Sequence, residues 1–298
     1  MTSSWLTLVN PAAARGRHAG KVQHALEALR QQGWKLQVHE TRGPNDASEV
    51  ARAACREGQT RFLVAGGDGT LFETLNGALD SGKSEGLEVG VLPTGTGNSF
   101  LRDFGIFRLE DALDALLRGG SRRLDAVHAQ HAGGSFHFVN LLSFGFSARV
   151  GAHRNQHYAR WGQAGYVLST LQCVPRLDAQ TIQVGLDEGG SDAWRVALLS
   201  FCNTRFTGGS MMMAPAADPS DGALDIVRVG DIGALRLLST FPRIFAGSHV
   251  GRPGVSQSRA KRIDFHDIEE QDLMVDGEIL RARLRSLEVR PSCWSLRA

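Results

Sequence analysis

Gly66-Gly67-Asp68-Gly69-Thr70 sets one carboxylate among three glycines, directly after the apolar run Phe62 to Ala65 and directly before a helical pattern. Glycines at a strand-to-helix turn bring backbone N–H groups close to a ligand and take up positive φ at no steric cost. The helix that follows aims its positive end at the same spot, so the turn reads as a phosphate cradle. Asp68 would repel phosphates unless a divalent cation lay between, which points to metal-nucleotide chemistry. A tight βα turn with an N-capping Asp is the competing reading. A second loop, Pro93-Thr94-Gly95-Thr96-Gly97-Asn98-Ser99-Phe100, follows the strand-like run Leu87 to Leu92. In a parallel sheet the C-terminal ends of such strands lie on one edge, so the two loops are expected to share a crevice.

The second half carries two acidic clusters. Gly208 to Asp225 contains Asp218-Pro219-Ser220-Asp221-Gly222-Ala223, which on its own residues reads equally as a β-turn or as a site with hard oxygen donors. Val275-Asp276-Gly277-Glu278 is first of all a hairpin signal.

Taken together, these motifs resemble the diacylglycerol kinase catalytic-domain family, which includes bacterial lipid kinases and the sphingosine and ceramide kinases. The first motif alone names only the wider superfamily shared with NAD kinases and phosphofructokinases; the second loop and the two acidic clusters narrow it. The resemblance runs from Asn10 to Glu278 and is weakest over 151–192. It implies ATP and Mg²⁺ as cofactors. For the nucleotide it implies Asn10, Thr41, the run Gly66, Gly67, Asp68, Gly69, Thr70, Leu71, Phe72 and Glu73, and then Thr94, Gly95, Thr96 and Asn98. By residue type alone Asn10 is equally a turn former and Thr41 an exposed loop threonine. The resemblance further implies Mg²⁺ at Asp221 through its carboxylate, with Asp218 and Ala223 giving mainly backbone oxygens. It implies Glu278 and Asp276 as general base and partner, in an order the sequence does not fix, beside Asp68. A lipid hydroxyl ionises far above neutral pH, so a positioned carboxylate must take its proton as it attacks the γ-phosphate. Two positions depart from the usual family pattern: Ser99, where an Asp is frequent, and Phe72, where an Asn is frequent. Phe72 is expected either against the adenine or in the core.

The elements that must position these groups change character along the chain. Over about the first 120 residues strands and helices alternate, the pattern of a doubly wound parallel sheet; the resemblance implies a phosphofructokinase- and NAD-kinase-like α/β domain. After Ser121 strand patterns dominate: Leu124 to Gln130, Ser135 to Arg149, Thr181 to Leu186, Trp194 to Asn203, Leu224 to Val229 and Val255 to His266. Helical spacing is confined to Tyr158 to Val174 and Gly233 to Phe245, which predicts a β-rich antiparallel sandwich. The expected domains are 1–122 for nucleotide and 123–283 for lipid, with a cleft between them and a final strand at about 284–298 returning to the first.

The 298 residues, 42% hydrophobic and 21% charged, are those of a soluble globular chain with ample core. A formal charge of +2 with dispersed basic residues argues against nucleic acid as a partner. Cys55, Cys173, Cys202 and Cys293 are widely spaced, which predicts buried thiols rather than a metal site. No run approaches the ~20 apolar residues of a transmembrane segment, and no N-terminal stretch suits a signal peptide. A cytoplasmic protein that meets its lipid substrate peripherally at a membrane surface is expected; a homodimer stays open. The leading expectation is an ATP- and Mg²⁺-dependent lipid kinase. Its rivals are an NAD kinase-like enzyme and a non-catalytic nucleotide or lipid sensor. The Asn-Glu pair of NAD kinases is lacking after the first turn, and the acids whose loss would mark a sensor, Asp68, Asp276 and Glu278, are all present.

Overall fold

Strand β1 (Trp5–Val9) leads through α1 (Ala19–Gln31) to β2 (Leu36–Glu40), then α2 (Asp46–Arg56), β3 (Arg61–Gly66), α3 (Asp68–Leu79), β4 (Glu88–Pro93) and α4 (Leu109–Arg118). In this computed structural model the described residues are 4–13, 19–95, 98–158 and 161–298. The chain divides into two compact units, Met1–Asp125 with Pro291–Ala298, and Ala126–Arg290.

The first unit is built on a parallel sheet in the order β2-β1-β3-β4. Phe62, Leu63, Val64 and Ala65 are completely buried, as the unbroken apolar run of β3 requires when helices cover both faces. Helix α1 buries Val22, Ala25, Leu26 and Leu29, one stripe at helical spacing, and α4 buries Leu109, Ala112, Ala115 and Leu116. The closing strand is the end of β18 (Leu284–Arg297), in which Ser295–Arg297 pair parallel with Glu88–Gly90 of β4. Trp294 fixes that end: it is 1% exposed, its Nε1 donates to the Asp125 carbonyl at 3.1 Å, and its ring lies 5.8 Å from that of Phe100.

The second unit continues β5 (Ser121–His131) and adds β6 (Gly134–Phe138), β7 (Leu141–Gly145), α5 (Phe146–His157), α6 (Gly162–Cys173), β8 (Gln180–Leu186), β9 (Ser191–Val196) and β10 (Leu198–Cys202). There follow β11 (Phe206–Thr207), β12 (Met211–Met212), β13 (Leu224–Val229), α7 (Ala234–Thr240), β14 (Val255–Ala260), β15 (Arg262–His266), β16 (Gln271–Val275) and β17 (Glu278–Ala282). One six-stranded antiparallel sheet runs β14-β13-β10-β7-β16-β17. In the other sheet β18, β15, β8 and β9 pair in sequence, with β5 on β18 and β6 on β5. The unit is an antiparallel β sandwich. Phe144, Phe201 and Phe265 fill part of its interior, with ring centroids 5.5–6.2 Å apart.

Three segments differ from expectation. Ser135 to Arg149 is not one strand: the chain turns at Val139-Asn140 and becomes helix α5 at Phe146. Gly145 makes that switch at φ 77°, with its Cα so close to the Ala197 carbonyl that a side chain would collide. Val255 to His266 is two strands in different sheets, broken at Lys261. Gly233 to Phe245 is a short helix and then a tighter turn of 3₁₀ geometry over Phe241–Ala246. Period-2 and helical patterns do not show such corners, because side-chain alternation continues across them.

Candidate active site

The strand order of the first unit reverses between β1 and β3, since the chain leaves β1 toward β2 and leaves β3 toward β4. At such a switch point the loops from the two strand ends part and open a crevice. Asn10 follows β1 and Gly66 ends β3, and the two loops are joined across the gap: Asn10 N–H donates to the Ala65 carbonyl at 2.9 Å, and Asn10 Nδ2 donates to Thr70 Oγ1 at 3.0 Å. Asn10 therefore both turns the chain, its Oδ1 accepting from Ala12 N–H at 3.0 Å, and braces the glycine turn. Thr41 follows β2 and donates its N–H to Val9 O at 2.8 Å, bringing the β2 loop to the same edge.

Gly67 and Gly95 belong to the two loops and their backbones touch. A Cβ on Gly95 would lie 2.5 Å from Gly67 Cα, and one on Gly67 would lie 3.1 Å from Gly95 Cα. The glycines are there for this approach, which holds the two loops together. Gly66 O accepts from Thr94 N–H at 2.8 Å, and Asp68 Oδ2 accepts from Ser99 N–H at 2.8 Å. Asp68 is the first residue of α3 and Gly67 its cap, so the N-capping reading of Asp68 fails; its carboxylate links one loop to the other. Asn98 sits at φ 37° and its Nδ2 donates to Gly95 O at 2.9 Å. Replacing Gly95 by Ala is expected to cost about 1–3 kcal/mol through this backbone clash. It should also weaken nucleotide binding; a thermal melt and a nucleotide titration check the pair of effects.

The other expected nucleotide residues take varied positions. Thr70 is buried with its Oγ1 on Asn10, and Thr94 is 2% exposed with an Oγ1 that has no hydrogen-bond partner among the described residues. Leu71 turns its side chain into the core, 2% exposed, and its N–H donates to Gly67 O, so it supports the turn from behind. Glu73 Oε1 accepts from Asn45 N–H at 2.8 Å and so positions the loop after β2. Phe72 and Gly69 are half-buried. Thr96 lies outside the described residues.

In the second unit Asp276 and Gly277, at φ 49° and 95°, form the two-residue hairpin joining β16 to β17. Asp276 is only 3% exposed, and its carboxylate accepts from the N–H groups of Val139, Asn140 and Leu141, each at 2.9 Å. Around it lies a buried polar nest. Asn203 Nδ2 donates to Val139 O at 2.8 Å, Asn203 N–H to Asn140 O at 2.8 Å, and Thr204 Oγ1 to Asn140 Oδ1. Asn140, Asn203 and Thr204 are not among the expected site residues. An Asn inside an apolar strand-like run is costly unless bonded, and that is the signal by which Asn140 and Asn203 could have been found. Glu278, two residues past Asp276, is exposed at the start of β17.

The loop before β13 holds Asp218, Asp221 and Ala223 together. Asp218 Oδ1 accepts from Ser220 N–H at 3.0 Å and Ser220 Oγ at 2.6 Å, and Asp221 Oδ1 accepts from Ala223 N–H at 3.1 Å. Asp221 Oδ2 pairs with the Arg259 guanidinium, whose Nε lies 3.5 Å from Asp225 Oδ2. Asp225 is fully buried, and burial pushes its carboxyl above the ordinary range, with the Asp221 charge adding to that and Gln257 and Arg259 opposing it. The donor chemistry, carboxylates and carbonyls on a turn, fits a hard divalent cation, which would take the place of the Arg259 guanidinium on Asp221 Oδ2. Among the described residues no three His, Cys, Asp or Glu side chains gather into a cage, so such an ion would rest on Asp221 with backbone oxygens and water.

The second unit also contains a partly open apolar cavity, walled by Phe146, Val150, Leu198, Val229, Ile232 and Leu237 among others. Tyr166 lines it with its hydroxyl on Met274 Sδ at 2.9 Å, and burial raises that hydroxyl's pKa to about 12.

Residues 4–129 match the family model described as diacylglycerol kinase catalytic domain, and residues 140–298 match that of the YegS C-terminal NAD kinase beta sandwich-like domain. A diacylglycerol kinase of Mycobacterium tuberculosis is 31% identical over 263 residues, covering 86% of this chain and 82% of its own length. A diacylglycerol kinase of Bacillus subtilis is 26% identical over 279 residues, covering 91% and 88%. The crystal structure of a diacylglycerol kinase from Bacillus anthracis superposes with a TM-score of 0.72 at 19% identity, over 99% of this chain and 96% of that one, which shows a common fold. Fold and sequence together define an enzyme, a kinase with an alcohol group as acceptor. The chain belongs to the diacylglycerol kinase catalytic-domain family.

Proposed function

We propose that this kinase transfers the γ-phosphate of ATP, with Mg²⁺, to the hydroxyl of a long-chain lipid alcohol of the diacylglycerol type. The apolar cavity of the second unit carries the lipid half of this reading: a wall of aliphatic and aromatic side chains suits a hydrocarbon tail and not a second nucleotide. It also favours a lipid over NAD as acceptor. The nucleotide half rests on the switch point, where the paired glycine loops lie at the N-terminus of α3, the positive end of its dipole.

In this mechanism Glu278 takes the proton from the lipid hydroxyl as its oxygen bonds to the γ-phosphorus and the bond to the β-phosphate oxygen breaks, releasing ADP. Asp276 is the positioning residue, because three backbone N–H groups occupy its carboxylate and fix the hairpin on which Glu278 stands. Asp68 holds the two phosphate loops in register. Asp221, with the carbonyls of Asp218 and Ala223, would hold Mg²⁺. That ion, when bound, supplies positive charge to the phosphates.

The enzyme meets the bilayer peripherally through the second unit. Helices α6 and α7 line the cavity with Tyr166, Thr170 and Leu237 while leaving Leu171 half exposed and Leu235 85% exposed. No helix among the described residues is long and apolar enough to cross a membrane. Filling the cavity tests the lipid assignment. Val229→Trp is expected to raise the apparent KM for a lipid alcohol in mixed micelles at least about tenfold while leaving nucleotide affinity unchanged. Unchanged lipid kinetics in a folded variant would remove the cavity from the account.

A further inference from the structure

The 31 acidic residues of the chain leave two long stretches empty: neither 126–177 nor 232–263 contains an Asp or a Glu. All three α-helices of the second unit, α5, α6 and α7, fall inside these stretches, whereas each α-helix of the first unit carries at least one acid. In core strands such a gap is ordinary; on the outer faces of helices, where acids usually sit, it is not. Helix α6 goes further and contains no charged residue of either sign. Its inner side, with Ser169, Thr170 and Cys173, is buried. Its outer row runs Ala164, Leu168 and Leu171, the first and last exposed and the middle one half-buried. Trp161, which caps the helix, is 59% exposed. Helix α7 belongs to the same layer, since its Leu237 and Thr240 line the cavity that Tyr166 and Thr170 of α6 also line. It exposes Leu235 beside Arg236, and the 3₁₀ turn after it exposes Arg243.

We infer that the outer faces of α6 and α7 form a docking surface for a bilayer containing anionic lipid. Trp161, Leu171 and Leu235 enter its apolar edge, and Arg236 and Arg243 meet its headgroup phosphates. The inference rests on the lipid-kinase reading above for its purpose: a substrate confined to the bilayer passes from there into the cavity that the same helices wall. Charge selects this occupant over others. A second copy of the chain would set the two arginines against their own kind, with no acid in 232–263 to answer them. A nucleic acid would meet an α6 that has no charge to offer and apolar side chains where phosphate contacts are needed. An anionic bilayer answers both features: Trp and Leu are stable at the headgroup boundary, and each Arg adds attraction to the negative surface.

Sedimentation of the full chain with vesicles, without ATP, tests this. One set of vesicles is phosphatidylcholine alone and the other is phosphatidylcholine mixed with phosphatidylglycerol. The wild type is expected to bind the anionic set at least about tenfold more tightly, with the preference shrinking as salt rises. Arg236→Glu with Arg243→Glu should remove most of that preference. Leu171→Ser with Leu235→Ser should weaken binding to the anionic vesicles about three- to tenfold. Thermal midpoints report folding of both double variants. Phosphorylation of a short-chain lipid alcohol dissolved as monomers is measured in parallel and should match the wild type. Equal binding to both sets, binding to neither, or anionic binding that survives in both double variants overturns the inference; the monomeric substrate then reports separately on the lipid-kinase reading. A wild-type dimer that dissociates in Leu171→Ser with Leu235→Ser gives the face to a second copy and overturns it too. Vesicle binding as expected, without phosphorylation of any lipid alcohol, supports the docking surface and removes the kinase reading.

Discussion

Glu278→Gln is expected to lower phosphoryl transfer to a lipid alcohol by about 10²–10⁴-fold while nucleotide affinity and thermal midpoint stay as in the wild type. The substituted amide keeps the size and hydrogen-bonding reach of the carboxylate but cannot take a proton at neutral pH. Glu278 is exposed at the first position of β17. Glu278→Asp, which keeps the base on a shorter arm, should fall between the two. Steady-state kinetics in mixed micelles with a parallel nucleotide titration decides the matter. A variant with ordinary turnover would move the base elsewhere.

Asp276→Ala is expected to act on folding first. It strips the acceptor from three buried N–H groups, those of Val139, Asn140 and Leu141, in a nest already closed by Asn203 and Thr204. It also leaves a residue with a Cβ at φ 49°, a region that Asp and Asn tolerate better than Ala. With some relaxation of the hairpin, a loss of about 3–5 kcal/mol follows. Asp276→Asn, which keeps one acceptor oxygen and the backbone preference, should lose roughly half as much. Denaturant unfolding of the three proteins gives the ranking. A small loss for Asp276→Ala would mean the N–H groups find another partner and that Asp276 is not the anchor of the hairpin.

Much of the first unit was legible from its residues. Phe62 to Ala65 could only be a strand buried on both faces, and the glycines that follow could only be a turn, so the α/β class followed from local pattern. What pattern could not show is why Gly67 and Gly95 are both glycine, since the reason is contact between two loops remote in sequence. Asp68 illustrates the same limit: its link to Ser99 N–H crosses between those loops. In the second unit Leu224 to Val229 is a strand with the expected bounds, whereas α5 was hidden inside a run that alternates well enough to pass for one strand. The hairpin at Asp276-Gly277 was legible from its dipeptide. The inward turn of the Asp276 carboxylate was not, because its three donors lie about 135 positions earlier. Asp225 and Arg259, which complete the acidic loop, become neighbours only through the pairing of β13 with β14.

Transfer of the γ-phosphate to a lipid hydroxyl is the reaction proposed for this enzyme. The direct measurement supplies γ-labelled ATP and Mg²⁺ to the wild type, Glu278→Ala and Asp68→Ala, with a mixed-micelle panel of lipid alcohols and with NAD as acceptors. The predicted result is a labelled lipid product from the wild type that is absent from both variants. Label on NAD, or ATP bound with no label transferred to any acceptor, would contradict it.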